Sequence, residues 1–132
     1  MNYEEFQQIE FKVQDRVALV TLNRPEQMNT WTPIMSRELS DAMYECDEND
    51  DIRAVVVTGA GRAFCAGADL SGGEEGFTSK TTITRPQLWR YQVRKPVIAA
   101  INGAAVGVGI TYAMLADTVS YTHLRAHETV VY

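Results

Sequence analysis

Apolar and polar positions change their period several times along the chain, and each change marks an element. Ile9, Phe11 and Val13 alternate with polar residues, the two-residue period of a strand. Gln14-Asp15-Arg16 reads as a tight turn, and Val17 to Leu22 as a second strand, apolar enough to be buried on both faces. The pair predicts a β-hairpin. Pro25 then fixes φ and removes a donor, so the strand stops within Asn23 to Asn29. Thr32 is placed to cap a helix, and Pro33 suits its first position. Met35, Leu39, Ala42, Met43 and Cys46 follow at spacings of three and four, one apolar stripe.

Asp47 to Asp51 ends that helix as a solvated acidic turn; it lacks the glycine and terminal glutamate of a calcium loop. Ile52 to Thr58 contains the wholly apolar Ala54-Val55-Val56-Val57, the composition of a strand in a parallel, doubly covered sheet. A turn at Gly59 to Arg62, the segment Phe64 to Leu70 and a glycine- and glutamate-containing loop to about Lys80 come next. Residues 86–94 are expected to be helical, with Lys95-Pro96 as the stop. Val97 to Ile101 is another buried strand, Asn102 to Val108 a turn of small residues, and Gly109 to Leu115 a helix. Strands and helices alternating in this way predict an α/β protein.

Composition narrows the chemistry. The chain has 132 residues, 45% of them hydrophobic, and a net charge of −5, which suits a globular domain and argues against nucleic acid as a partner. No apolar run has the length of a membrane span, and Met1 to Glu10 lacks the basic and apolar regions of a signal peptide. Cys46 and Cys65 make no disulfide framework, so a reducing, cytoplasmic setting is expected.

Three glycine-containing turns follow strands, which raises nucleotide binding. Gly59-Ala60-Gly61 and Gly107-Val108-Gly109 begin the dinucleotide fingerprint, but Phe64 and Tyr112 stand where its third glycine belongs. Gly67 to Gly72 has P-loop spacing, but Gly73-Glu74 replaces the lysine and hydroxyl residue. Cys65 to Asp69 and Gly103 to Gly109 remain as two turns of small residues. They suit tight strand-to-helix turns, and they equally suit a ligand that approaches backbone N–H groups.

Four segments, in order, resemble the crotonase superfamily of enoyl-CoA hydratases and isomerases. They are Val17 to Asn29, Ala54 to Gly59, Ala63 to Leu70, and Lys95 to Gly103 with its glycine-rich continuation. The resemblance implies a spiral of ββα units, here incomplete, an acyl-CoA thioester substrate, and a homotrimer or hexamer. It implies no cofactor beyond the coenzyme A of the substrate, and no metal. It assigns the backbone N–H groups of Ala68 and Val108 to an oxyanion hole, and Gly107 to the same turn. The family usually has glycine at the place of Val108. Arg24, Gln27, Met28, Thr30 and Ala66, Gly67, Ala68, Asp69 and Leu70 would line the coenzyme-A site, with Arg24 as a cation for that anion. The family often has lysine where Gln27 stands. Thr111 occupies the place of a hydratase glutamate, and a hydroxyl does not exchange protons near neutral pH as a tuned carboxylate does. The alternative is an inactive acyl-CoA-binding or assembly subunit.

Three other side chains have bland readings beside functional ones. Asp69 suits a helix cap as well as acid/base work, Cys65 a packed thiol more than a nucleophile, and Asp117 a structural helix end. The resemblance covers the segment 1–119, and the tail 120–132 is expected to be non-native. Both histidines, His123 and His127, fall in that tail without a third metal ligand. A chain lacking the second half of such a domain leaves apolar surface uncovered, so the isolated chain is expected to aggregate. Size-exclusion chromatography with light scattering checks this; a monodisperse, cooperatively unfolding monomer contradicts it.

Overall fold

A computed structural model describes residues 2–71 and 86–121. The hairpin is present as β1 (Ile9–Gln14) and β2 (Val17–Leu22), antiparallel, with Gln14 opposite Val17. Its two-residue turn places Asp15 at φ 51° and Arg16 at φ 67°. Two positive φ values make the tight turn whose twist matches the strands it joins. The helix α1 (Pro33–Glu48) begins as its sequence signals predict: the Thr32 hydroxyl accepts from the Met35 amide at 3.0 Å, and Pro33 takes the first position. At its other end Lys95 Nζ donates to the Cys46 and Asn49 carbonyls at 2.5 and 2.6 Å, which satisfies acceptors the helix leaves open.

Parallel pairing extends the hairpin. β3 (Ala54–Gly59) lies beside β2, β5 (Val97–Ile101) beside β3, and β7 (Thr118–Tyr121) beside β5, giving a five-stranded sheet in the order β1-β2-β3-β5-β7. β4 (Ala63–Cys65) and the two-residue β6 (Ala104–Ala105) form a separate parallel pair. The second described helix, α2 (Val108–Met114), follows at once. This is an α/β architecture.

The core lies on one face of the large sheet. Phe11, Ala18, Val20, Leu22, Val55, Val57, Val97 and Ala99 are buried there with Met35, Leu39 and Met43 of α1. The carboxylate of buried Glu38 accepts from the Gln7 and Gln8 amides at 2.6 and 2.7 Å, tying α1 to the chain before β1. Asp117 acts structurally, as expected: its carboxylate accepts from the Val97 amide at 2.8 Å and its own amide donates to the Val97 carbonyl at 2.9 Å.

Two expectations change. β2 is covered on one face, not both: its burial alternates, and Leu19 is 39% exposed. Leu19, Val56 and Ile98 stand in one cross-strand row on the open face, between Lys12 of β1 and Thr118 of β7. An unbroken apolar run therefore marks a strand but does not show that both faces are covered. Residues 86–94 hold a single 3-10 turn, Arg90–Gln92, in place of a helix. The segment is held instead by long-range bonds, Leu88 N–H to Ser40 Oγ at 3.0 Å and Arg94 to the Asp47 carboxylate at 3.1 Å. β7 pairs Ser120 and Tyr121 with Ala100 and Ile101. The loop expected to reach Lys80 and the tail beyond Tyr121 lie outside the described residues.

Replacing Glu38 by alanine leaves the Gln7 and Gln8 amides without their acceptor in a half-buried place. Loss of about 2–3 kcal/mol of folding stability is expected, as for bonds to a charged group. A urea unfolding midpoint unchanged from that of the unsubstituted chain contradicts it.

Candidate active site

The site is built where two stretches of backbone meet: Gly59 to Asp69, carrying β4, and Asn102 to Thr111, carrying β6 and the first turns of α2. Glycine makes the approach possible. A Cβ on Gly103 would fall 2.0 Å from the Arg62 carbonyl oxygen, and one on Gly59 would fall 2.4 Å from that of Ala63. A Cβ on Gly109 would fall 2.2 Å from the Cys65 carbonyl oxygen, so α2 packs directly on the end of β4.

Two asparagines lock this contact. Buried Asn29 donates through Nδ2 to the Ala60 and Ala63 carbonyls, both at 2.9 Å, and accepts the Arg24 amide at 2.7 Å. Asn102 donates through Nδ2 to the Gly61 and Ala63 carbonyls at 3.0 and 3.2 Å and accepts the Gly59 amide at 3.1 Å. Both side chains thus converge on the Ala63 carbonyl. Neither role is evident from the sequence, where Asn29 and Asn102 look like ordinary turn residues. Their position next to glycine- or proline-containing turns is the one available signal.

Beyond β4 and β6 the two chains continue side by side. The Val106 amide donates to the Cys65 carbonyl at 3.0 Å, and a Cβ on Gly107 would lie 4.0 Å from the Gly67 Cα. Gly67 has φ 116° and Gly107 φ 57°, values that favour glycine at both turns.

The turns aim two amides outward. Trp31 pairs with Ala68 as an isolated parallel bridge: its amide donates to the Gly67 carbonyl at 2.7 Å, and its carbonyl accepts from the Asp69 amide at 2.8 Å. In a parallel bridge the residue flanked by those two bonds turns its own N–H to the other side. The Ala68 amide has no acceptor among the described residues. Val108 is the first residue of α2, and its amide is likewise without an acceptor among them, as the first turn of a helix leaves its donors. Ala68 is exposed and Val108 half-buried.

Arg24 and Asp69 secure this arrangement. The Arg24 guanidinium donates to the Asp69 carboxylate at 2.9 Å, to the Thr30 carbonyl at 2.6 Å and to the Thr30 hydroxyl at 3.1 Å. Both side chains are only 16% exposed. Arg24, expected as a cation for coenzyme A, thus also forms an internal ion pair with Asp69. Asp69 also accepts the Ser71 amide at 2.8 Å. Bonds from Ser71, then from Arg24, hold its carboxyl down at about 2, so it stays ionised and cannot act as an acid near neutral pH.

The remaining candidates divide. The Met28 carbonyl accepts the Ala66 amide at 3.0 Å, so Met28 and Ala66 flank the same contact. Gln27 is exposed on the adjoining 3-10 turn, and Leu70 is 72% exposed beside Asp69. The Thr111 hydroxyl donates to the Gly107 carbonyl of its own helix at 3.3 Å. Cys65 is fully buried and burial pushes its thiol up from the ordinary value, which suits packing and not nucleophilic attack. Trp31, unremarked in the sequence, packs on Tyr112 with ring centroids 5.0 Å apart and planes tilted by 49°, linking the Ala68 side of the site to α2. Among the described residues no group of three metal-ligating side chains occurs.

The profile of the enoyl-CoA hydratase/isomerase family matches residues 12–124. The chain belongs to that family, within the crotonase superfamily. A probable enoyl-CoA hydratase of Mycobacterium tuberculosis is 40% identical over 121 residues, 86% of this chain and 46% of the relative. A 1,2-epoxyphenylacetyl-CoA isomerase of Escherichia coli is 35% identical over 116 residues, 81% of this chain and 44% of the relative. The crystal structure of an enoyl-CoA hydratase subunit from Geobacillus kaustophilus superposes with a TM-score of 0.75 at 32% identity, covering 89% of this chain and 47% of that one. The crotonase-type chain thus spans about half the length of these relatives.

The depressed Asp69 carboxyl gives this crotonase-family chain a pH signature. An Asp whose folded value lies below its unfolded one stabilises above the unfolded value and loses that stabilisation as pH falls through the folded one. Asp69→Asn is therefore expected to lower the thermal midpoint at pH 7, with the gap closing as pH falls from about 4 toward 2. A gap that persists unchanged at pH 2 contradicts the assignment.

Proposed function

We propose that this chain carries the thioester-binding part of an acyl-CoA enzyme. The amides of Ala68 and Val108 donate to the thioester oxygen as it gains enolate charge. The observation that carries the reading is the pair of outward amides on adjoining backbone turns, neither with an acceptor among the described residues. Preformed donors aimed at developing charge stabilise it without reorganisation, and each contributes roughly 2.7–4 kcal/mol to a transition state. Valine in place of the family's usual glycine keeps the N–H and adds a side chain beside the thioester.

The coenzyme-A portion would lie against Gln27, Met28, Thr30 and the turn Ala66 to Leu70, with the acyl-CoA the only ligand required. The general base lies elsewhere: Thr111 points its hydroxyl at the Gly107 carbonyl. Enolate chemistry of the hydratase or isomerase type, in a homotrimer or hexamer and in the cytoplasm, is the reading the family supports. Among the described residues no helix is long and apolar enough to cross a membrane. The same threonine favours a second reading, an acyl-CoA-binding or assembly subunit without turnover.

Titration calorimetry of this chain with crotonyl-CoA, against free coenzyme A, tests the binding claim. Saturable binding that exceeds that of coenzyme A alone is expected, and no binding of any acyl-CoA overturns both readings. A gene of full family length carrying this segment separates the two. Turnover in hydration of a 2-enoyl-CoA or isomerisation of a 3-enoyl-CoA supports the enzyme, and binding without turnover supports the subunit.

A further inference from the structure

We propose that Arg24 is the positioning residue of the Ala68 donor. It holds the two strands of the Trp31–Ala68 bridge together and so fixes the direction of an amide it does not touch. The inference deepens the thioester-binding reading and rests on it for its functional consequence, though its structural part stands alone.

The geometry is specific. Thr30 immediately precedes Trp31, and Asp69 immediately follows Ala68. One guanidinium bonds both: Thr30 through its carbonyl and hydroxyl at 2.6 and 3.1 Å, and Asp69 through its carboxylate at 2.9 Å. The bridge between those strands consists of two backbone bonds, Trp31 N–H to the Gly67 carbonyl and Asp69 N–H to the Trp31 carbonyl. An isolated bridge of two bonds at an exposed loop opens easily, because no neighbouring ladder supports it. A planar fork spanning both strands closes it, and the fork is itself oriented from behind: the Arg24 backbone amide donates to Asn29 Oδ1 at 2.7 Å, and Asn29 is buried. The positive φ of Met28 and Asn29, both 55°, turns the chain back so that Thr30 returns beside Arg24. If the bridge opened, Ala68 could rotate and its amide would no longer be held on the side away from Trp31.

A lysine cannot replace the arginine here. Its ammonium is a point donor on a flexible stem and does not reproduce a fork that reaches two strands at fixed spacing. This separates positioning from mere charge balance.

The test is amide hydrogen exchange by NMR on the ligand-free chain, with Val57 in the central strand as the internal standard. In Arg24→Gln the amides of Trp31 and Asp69 are expected to exchange about ten- to a hundredfold faster, with Val57 unchanged, as for loss of a charge-assisted bond. Arg24→Lys is expected to show the same local acceleration. Should Arg24→Gln fail to fold, Asp69→Asn, which leaves the bonds to Thr30, carries the same expectation for the Asp69 amide. Unchanged exchange at Trp31 and Asp69 in a folded variant overturns the proposal. So does full rescue by Arg24→Lys.

The functional consequence is read from the infrared stretch of a 13C-labelled crotonyl-CoA carbonyl. Bound at saturation to the unsubstituted chain, the stretch is expected to fall below its position in water, and Arg24→Gln, also saturated, is expected to lose most of that shift. A full shift in Arg24→Gln overturns the positioning role. No shift in the unsubstituted chain overturns the thioester-binding reading instead, and the exchange result then decides the clamp by itself.

Discussion

The structure depends on backbone touching backbone at three places where no Cβ fits: Gly59 on Ala63, Gly103 on Arg62, and Gly109 on Cys65. These contacts bring the end of β4 against the start of α2. Side-chain packing alone cannot achieve such an approach, since a single methyl group would sit about 2.0–2.4 Å from a carbonyl oxygen. Once the backbones are this close, their carbonyls need donors. Asn29 and Asn102 supply them, and both reach the Ala63 carbonyl. The large sheet, with its core on the α1 face, serves to present these two segments side by side.

A site made of amides has a different tolerance for substitution from one made of side chains. An amide donor at position 108, as proposed, is indifferent to whether glycine or valine carries it, because the N–H remains. What the backbone cannot tolerate is a change in its own direction, which the positive φ values at Gly67 and Gly107 set. The acid/base group, by contrast, must be a particular side chain, and Thr111 is bonded into its own helix. Binding a thioester oxygen and moving a proton are therefore separable here. In the proposed reading the first falls to the backbone turns at Ala68 and Val108, and the second to a residue other than Thr111.

Much of the fold was legible because local signals and packing agree. The tight turn at Gln14-Asp15-Arg16, the Thr32-Pro33 start of α1 and its apolar stripe all appear where the sequence puts them. The failures share a cause. The segment 86–94 has apolar residues at helical spacing, yet its amides find partners in Ser40 and Asp47, far away in sequence. Val17 to Leu22 reads as doubly buried, but only the α1 side is covered, and Leu19, Val56 and Ile98 face outward. At the site, Ala68 and Val108 were named through resemblance. Periodicity could find the small-residue turns but could not say whether they served a ligand. The Arg24–Asp69 pair was invisible because 45 positions separate its members.

The central claim is that the Ala68 and Val108 amides are held ready for one oxygen. Amide chemical shifts of the 15N-labelled chain during titration with crotonyl-CoA test it most directly. Both amide protons should move downfield together as the thioester carbonyl accepts from them, and free coenzyme A should leave them in place. If crotonyl-CoA binds and those two resonances stay where they were, the thioester oxygen is held elsewhere and the account is wrong.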